Sequence, residues 1–397
     1  MEHDVSSRAG SRLSRHTDPN AKPAPAAPGV GPDADASPPG RAAVASGSPL
    51  RSAQDPADQM QADSTDDDND DDDGSDVDSA LGEDDFRDDD SMSTVSLSES
   101  ILQYRLINGR RYHSASHGSS YWGPNDERSS DAEDISHQVF LCLLENKLFL
   151  APLQKEKIRK VLDIGTGTGM WANDFADDFP GAEVIGTDIS PIQPAWTAPN
   201  CRFEMEDAEL QWTFARSSFD FIHMRTMGGA IQDWPKLYRQ AYDALRPGGW
   251  IESYETEAMF SSDDCEIAED SPLRMWPRYF GEAGKLMGRT FQVVSENVQV
   301  TGIEAAGFKN IEVVQMKSPI GPWSSEPRLK KSGLYAYLAL DQDLEGYISY
   351  VWTRVLKKPI EEMHVYLARF RKAIRAPNAR IYLPQKIVYA QKPLDAE

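Results

Sequence analysis

The chain has 397 residues, with 64 acidic against 41 basic side chains and a formal net charge of −23. The sequence shows no apolar run long enough for a membrane span and no signal peptide behind Met1, so we expect an intracellular protein of the cytoplasm or nucleus. Cys142, Cys201 and Cys265 are too few and too scattered for a disulfide framework or a zinc site, and we expect no bound metal.

The first hundred residues carry most of the charge imbalance. They hold 24 of the acidic and only 7 of the basic residues, and Phe86 is their single aromatic residue. Such a composition cannot bury enough apolar surface to offset its chain entropy, so we predict a disordered acidic low-complexity tail over residues 1–98. Its charge argues against direct nucleic-acid binding; solvation is the simplest role, although basic protein partners remain open.

Removal of residues 1–95 should therefore leave cofactor affinity and melting temperature nearly unchanged, because the tail has nothing with which to build a core. Calorimetry and thermal melts of the truncated protein test this expectation. A substantial fall in melting temperature would mean that the tail docks on the rest of the chain.

Residues 99–155 form a predicted docking and lid segment ahead of the main domain, which we place at residues 156–397. Apolar residues between Ser100 and Arg111 indicate a short docking element, and Tyr121-Trp-Gly-Pro-Asn-Asp-Glu127 places two aromatic residues on a turn. Ser130 is the predicted N-cap of the helix that follows. Tyr121 and Trp122 are either caps over a core edge or a lid whose rings cover a cofactor.

A glycine-rich stretch organises the middle of the chain. Val161-Leu-Asp-Ile-Gly-Thr-Gly-Thr-Gly169 joins a short apolar strand to glycines at spacing two, and the apolar spacing from Trp171 to Phe179 predicts a helix after it. A glycine turn lets a ligand approach the backbone closely, and a helix N-terminus offers free N–H groups. The spacing differs from the G-x-G-x-x-G pattern of dinucleotide sites, and a plain tight turn is the alternative to a ligand site.

An acidic residue ends the next predicted strand, which runs from Ala182 to Gly186. Asp188 lies 19 residues beyond Gly169, where a parallel strand returns an acid to the same edge of the sheet. A carboxylate there can accept hydrogen bonds from both hydroxyls of a ribose. Together with the glycine turn, Asp188 favours a nucleoside-binding half of a doubly wound sheet over a plain turn.

The remaining pattern completes an α/β fold with a doubly wound, seven-stranded, Rossmann-like sheet. A helix should begin at Asp233, and a helical insertion at about residues 322–378 should shape a substrate pocket. The five later strands are predicted at Cys201–Met205, Phe219–Arg225, Trp250–Tyr254, Asn310–Met316 and Ile381–Ala390.

In this order the motifs resemble those of class I S-adenosylmethionine-dependent methyltransferases, and the flanking stretches are similar to the fungal LaeA-like group, which includes a velvet-complex regulator and enzymes of secondary metabolism. The resemblance covers about Tyr112 to Pro393. Besides the glycine turn and the aromatic turn, the stretches that carry it are Val184-Ile-Gly-Thr-Asp-Ile-Ser-Pro-Ile-Gln-Pro194, Phe219-Asp-Phe-Ile-His-Met-Arg225, Asp233-Trp-Pro-Lys-Leu-Tyr-Arg-Gln-Ala-Tyr242 and Leu245-Arg-Pro-Gly-Gly249.

The resemblance implies a cofactor, S-adenosylmethionine, and a set of residues that bind it. Asp188 and the adjacent Ile189 would contact the ribose, and Asp207 with Ala208 would meet the adenine amino group. The residues that would hold the methionine part are Asp163, Gly165, Gly167 and Gly169. The acceptor cannot be identified, and both a small molecule and a protein side chain remain open.

Methyl transfer from a sulfonium needs mainly proximity and orientation, and a base only for some acceptors. His223, at the end of the predicted fourth strand, is the best-placed catalytic candidate, ahead of His113 and His117. The alternative to a catalytic base at position 223 is a structural histidine that is hydrogen-bonded to a neighbouring loop.

Two other classes of protein share such a sheet. A short-chain dehydrogenase needs a helical Tyr-x-x-x-Lys, and the spacing Tyr382–Lys386 contains Pro384, which excludes that helix. The second alternative is a velvet-type regulatory protein that keeps the methyltransferase fold and acts through protein partners. An intact glycine turn favours cofactor binding, but binding alone does not establish turnover.

Overall fold

The computed structural model describes residues 104–114, 121–376 and 378–396. The predicted tail at 1–98 and His117 lie outside the described residues. Near the start of the described chain, β1 (Arg105–Ile107) and β2 (Arg110–Tyr112) pair antiparallel as a hairpin. Its Asn108-Gly109 turn has positive φ at both positions, the conformation for which this residue pair is preferred in two-residue hairpins. The hairpin lies largely within the stretch from Ser100 to Arg111, where a short docking element is predicted.

The main sheet has five parallel strands, and two further long strands extend it by antiparallel pairing. Its strands are β3 (Lys160–Ile164), β4 (Glu183–Asp188), β5 (Cys201–Met205), β6 (Phe219–Arg225), β7 (Leu245–Thr256), β9 (Lys309–Pro319) and β10 (Ile381–Gln391), with a two-residue β8 (Ser261–Ser262) beside the start of β10. The order across the sheet is β5-β4-β3-β6-β7-β10, and β9 pairs with the free edge of β10. The predicted doubly wound, seven-stranded fold is confirmed.

Burial on both faces explains why the central strand β3 is almost continuously apolar. Val161 packs with α2 (Met170–Asp178), whereas Leu162 packs with α3 (Trp234–Ala244) and α5 (Val298–Ala306) on the opposite face. Both side chains are fully buried. The glycine turn and Asp188 therefore lie at the carboxyl edge of a rigid sheet, where ligands bind in open α/β folds.

A layer of helices covers the sheet near this edge. α4 (Pro272–Met287) follows β8, and α6 (Pro327–Gln342), α7 (Leu344–Tyr350) and α8 (Ile360–Ile374) lie between β9 and β10, with a π-helical turn at Val351–Val355. We call these four helices the helical cap. Aromatic residues of α4 and α8 form its core, in which Trp276 lies 4.9 Å from both Phe280 and Phe370 by ring centroids. No helix within the described ranges is long and apolar enough to cross a membrane.

The helix α1 (Glu127–Leu143) begins earlier than predicted, and the expected Ser130 cap is wrong. Asp126 is the N-cap, and its carboxylate accepts from Ser129 N at 3.2 Å. Arg110 fixes Asp126, because its guanidinium donates both to that carboxylate and to Asp343 at the start of α7, with distances of 2.6–2.8 Å. This buried arrangement joins the hairpin, α1 and the helical cap.

Two further features differ from the expectations. The strand β7 begins at Leu245, directly after the last residue of α3, whereas the sequence predicts that this strand begins only at Trp250. The helices α4 and α5 lie in a stretch of sequence for which we predicted no element. Both differences lie away from the glycine turn and leave its position unchanged.

Candidate functional site

A cleft of about 380 Å³ opens at the carboxyl ends of β3, β4 and β6. It extends from the glycine turn to the helical cap, and α1 forms one wall. Its volume lies in the usual range for small-molecule sites. All ten predicted cofactor-binding positions except Gly169 line this cleft, as does His223.

The glycine turn has the backbone that its composition predicts. Gly165, Gly167 and Gly169 have φ values of +65°, +57° and +81°, a region that other residues rarely adopt. A Cβ atom on Gly167 would lie 2.6 Å from Glu133 Oε2, so a side chain here would meet both strain and a carboxylate. Gly169 precedes α2 directly and packs against the ring of Phe203.

Asp188 is held beside this turn by backbone donors. Its Oδ2 accepts from Gly167 N at 2.9 Å, and its Oδ1 accepts from Ser190 N at 3.0 Å. Burial raises the pKa of Asp188 to about 6, against the opposing effect of these N–H donors. The remaining lone pairs of the carboxylate can accept hydrogen bonds from a ligand.

Glu133, which sequence reasoning did not identify as a site residue, lies on the other side of Gly167. Burial, followed by the repulsion from Asp188 and Asp134, raises the pKa of Glu133 to about 8, while the N–H of Thr168 and the nearby Arg225 oppose the shift. Helical spacing is the signal that could have identified Glu133, because residues three or four apart on α1 line the cleft. These are Glu133, Ser136, His137 and Phe140.

Asp163 and His223 form a buried pair beneath the turn. The Asp163 carboxylate accepts from Thr166 Oγ1 at 2.6 Å and lies 2.7 Å from His223 Nδ1. The His223 ring is 1% exposed and stacks on Trp171 with centroids 3.8 Å apart. Burial lowers the pKa of His223, although Asp163 opposes this shift. The pair therefore fixes the turn from below.

The predicted adenine-side residues lie at the other end of the turn. Asp207 Oδ1 accepts from Glu209 N at 2.9 Å, which makes Asp207 a local turn residue as well as a cleft residue. The carbonyl of Ala208 accepts from Trp212 Nε1 at 3.1 Å. Ile189 is half-buried in the same wall.

Tyr121 and Trp122 differ in their surroundings. Tyr121 lines the cleft, and burial, then the Glu133 and Asp188 carboxylates, raises its pKa far above its ordinary value. Trp122 turns the other way, since its Nε1 donates to Gly228 O at 3.2 Å and its ring contacts Phe291. His113, the weaker histidine candidate, is buried in the described part of the chain and is not among the residues that line the cleft.

The charges around the turn indicate what kind of ligand fits. Asp188 and Glu133 flank one glycine, and among the described residues that line the cleft Arg225 is the single arginine or lysine. Arg225 lies over the Phe140 ring and beside His137 Nδ1. Buried carboxylates with raised pKa values are stabilised by a cation. The site therefore fits a nucleoside that carries a positively charged side chain, such as S-adenosylmethionine.

The raised pKa of Glu133 predicts how ligand-free stability depends on pH. Above pH 5 the unfolded chain has released this proton, whereas the folded chain keeps it until about pH 8, so stability falls as pH rises across this window. Glu133→Gln removes the titration. We expect its melting temperature to exceed that of the parent protein increasingly between pH 6 and pH 8.5, in thermal melts at constant ionic strength.

The neighbouring groups make a control necessary, because Asp188, Asp134 and Arg225 all act on Glu133 and remain in the variant. Glu127→Gln changes an exposed acid on the same helix and should give a curve parallel to that of the parent protein. If the Glu133→Gln curve is parallel as well, the carboxylate is not held in its protonated form by the fold.

Comparisons with known proteins agree with this geometry. A family model described as a methyltransferase domain matches residues 135–313. The chain is 37% identical over 302 residues to the methyltransferase pytC of Aspergillus terreus, which covers 76% of this chain and 92% of that protein. It is 37% identical over 254 residues to the secondary metabolism regulator LAE1 of Cochliobolus heterostrophus, covering 63% and 82%. It is 31% identical over 294 residues to the protein-methionine methyltransferase laeA of Emericella nidulans, covering 74% and 77%.

Proposed function

The chain belongs to the LaeA-like family of fungal S-adenosylmethionine-dependent methyltransferases, and from this membership we propose that it transfers a methyl group to a small-molecule acceptor of secondary metabolism. The observation that carries the proposal is the continuity of the cleft, which runs from the glycine turn to the apolar face of the helical cap. The cofactor supplies an activated methyl group, so the chain must mainly bind, orient and exclude water.

We assign the cofactor to the carboxyl edge of the sheet. Asp188 would accept the ribose hydroxyls, with Ile189 beside the ring, and Asp207 with Ala208 would face the adenine amino group. The glycine turn would accommodate the methionine part, whose positive charge is complementary to Glu133. The spacing of these groups along one wall of the cleft supports this orientation.

Two predicted site residues take a different role in this proposal. Both oxygens of Asp163 already have protein partners, Thr166 in the turn and His223 on β6, which supports a role in shaping the turn rather than in direct contact with the methionine part. The surroundings of His223 support the alternative of a structural histidine, because its ring is 1% exposed, its Nδ1 is paired with Asp163, and its face is stacked on Trp171. We therefore propose that His223 positions Asp163.

A regulatory role is the second candidate. It is favoured by the description of LAE1 as a secondary metabolism regulator, and a regulator would act through protein partners. The name of the Emericella nidulans relative specifies a protein methionine as its acceptor. These roles differ from the first candidate in where the transferred methyl group would be found: in the metabolites, in a protein or in neither.

The test is a transfer assay with methyl-labelled S-adenosylmethionine and fungal extract separated into protein and metabolite fractions. Transfer to the metabolite fraction is expected, and the Asp188→Ala variant provides the background. Label in the protein fraction alone would replace the small-molecule acceptor by a protein. Cofactor binding without transfer to either fraction would favour the regulator.

A further inference from the structure

The cleft continues past Met227 into an apolar region, which we call the acceptor lobe. It is lined by Phe260, Trp276, Phe280, Phe291, Ala339 and Leu340. Apart from Phe260 and Phe291, these residues belong to the helical cap, so the lobe is formed largely by elements outside the nucleotide-binding sheet.

A short segment after β6 connects this lobe to the glycine turn. Met227 contacts Gly165 through its sulfur, and Gly229 packs against the ring of Phe291. Between them, Gly228 accepts the Trp122 N–H at 3.2 Å. One short segment thus contacts the glycine turn through Met227 and the lobe through Gly229.

Glu255 holds this connecting segment in place. Its two oxygens accept from Met227 N at 2.9 Å and Gly228 N at 3.2 Å, and its side chain is fully buried. Because the carboxylate is enclosed and bonded to backbone, Glu255 positions the segment and does not contact an acceptor. The entrance from the cofactor to the lobe is therefore fixed in the ligand-free protein.

The charges around the lobe exclude one kind of acceptor. The carboxylates of Glu255 and Glu257 line the cleft, and Arg225, the one arginine or lysine among the described lining residues, is committed to Phe140 and His137. A carboxylate or phosphate that entered the lobe would lose its hydration without gaining a positively charged partner, which is costly in an apolar site.

One polar atom among the residues that line the cleft lacks a hydrogen-bond partner within the described part of the chain. Thr256 Oγ1, at the end of β7, is buried and makes no hydrogen bond with any described residue. Buried hydroxyls are normally bonded, so an unpaired one that lines a cleft is suited to bond a ligand.

We propose that the acceptor lobe binds a largely aromatic small molecule that carries no negative charge and whose single polar group hydrogen-bonds to Thr256. This inference rests on the proposed function and specifies its acceptor class. The aromatic lining provides faces and edges for a flat ring system, and the Thr256 hydroxyl can accept from a phenol or amine.

The test uses three probes that share the naphthalene ring system, with the full chain in the presence of S-adenosylhomocysteine, so that no transfer can occur. These are 2-naphthol, 2-naphthoate and naphthalene. Equilibrium titrations at pH 7 should show 2-naphthol binding about tenfold or more tightly than 2-naphthoate, and more tightly than naphthalene. Equal or stronger binding of 2-naphthoate would overturn the exclusion of a negatively charged acceptor.

Two variants locate the probe. Thr256→Val keeps the shape and removes a hydroxyl without a protein partner, so the melting temperature should not fall, whereas 2-naphthol should bind only as well as naphthalene. Ala339→Leu narrows the lobe and should weaken all probes, while Leu338→Ala, an exposed position on the same helix, should change none. An unchanged 2-naphthol affinity in Thr256→Val would remove the hydroxyl from the proposal.

Binding of S-adenosylhomocysteine distinguishes a failure of the acceptor lobe from a failure of the proposed methyltransferase function. If the protein binds it and binds no naphthyl probe, the acceptor lobe is wrong and the methyltransferase function stands. If it does not bind S-adenosylhomocysteine, the proposed function fails first. In Ala339→Leu, unchanged S-adenosylhomocysteine affinity shows that the variant is folded.

Discussion

Replacing Asp188 with alanine is expected to weaken the binding of S-adenosylmethionine by roughly 1.5–3 kcal/mol, which is about tenfold to about 150-fold in the dissociation constant. The carboxylate is fixed by Gly167 N and Ser190 N, so it is already oriented when a ribose arrives. Alanine would remove the ribose acceptor and leave two backbone donors of the turn without their partner. Calorimetry at a temperature where both proteins are folded measures the effect.

Two further variants separate charge from shape at this position. Asp188→Asn keeps an acceptor oxygen and loses the negative charge, so its affinity should lie between those of the parent and the alanine variant. Asp178→Ala removes an exposed acid from α2 and should leave binding unchanged. If Asp188→Ala binds S-adenosylmethionine as the parent does, Asp188 does not belong to the cofactor site.

The nucleoside half of the site could be predicted because its determinants are local. A strand, a glycine turn and a helix follow one another within twenty residues, and three positive φ values at Gly165, Gly167 and Gly169 require the residue type that stands there. The pairing of β3 with β4 then follows from the right-handed parallel connection, which returns Asp188 to the turn. Here local pattern and tertiary structure agree.

The lid side could not be predicted in the same way, because its contacts are distant in sequence. The position of Glu133 beside Gly167 depends on how α1 docks. That docking is fixed by Arg110, which binds the nearby Asp126 and also Asp343, more than two hundred residues further along the chain. From the local sequence alone, Ser130 is a reasonable N-cap for this helix. Asp126 is the N-cap instead because it is the residue that Arg110 holds at the start of the helix.

The histidine at position 223 shows why a strand end is not sufficient evidence for catalysis. Its place beside Asp163 is set by parallel pairing of β3 and β6, and the register puts the two residues directly opposite each other. Trp171, the second residue of α2, then covers the ring. Neither the pairing register nor this stacking can be read from the spacing of the motifs.

Trp122→Ala is expected to lower stability by about 2–3 kcal/mol, somewhat below the usual cost for a fully buried aromatic residue, because the ring is half-buried. Its ring lies 5.9 Å from Phe280 and 5.4 Å from Phe291 in edge-to-face geometry, and its N–H is bonded to Gly228 O. These contacts join the aromatic turn to the helical cap. Thermal melts of the ligand-free protein should therefore show a fall of several degrees.

The same variant distinguishes the two sequence-based hypotheses for the aromatic turn. A lid over the sulfonium would lose cofactor affinity with little loss of stability, whereas the observed packing predicts lost stability and a larger effect on 2-naphthol than on S-adenosylmethionine. Trp122→Phe retains a ring and loses the bond to Gly228, so it should recover most of the stability. Tyr121→Phe tests the cofactor side, because Tyr121 lines the cleft and the Glu133 and Asp188 carboxylates raise the pKa of its hydroxyl. Unchanged stability with weakened S-adenosylmethionine binding in Trp122→Ala would restore the lid and place the indole over the cofactor.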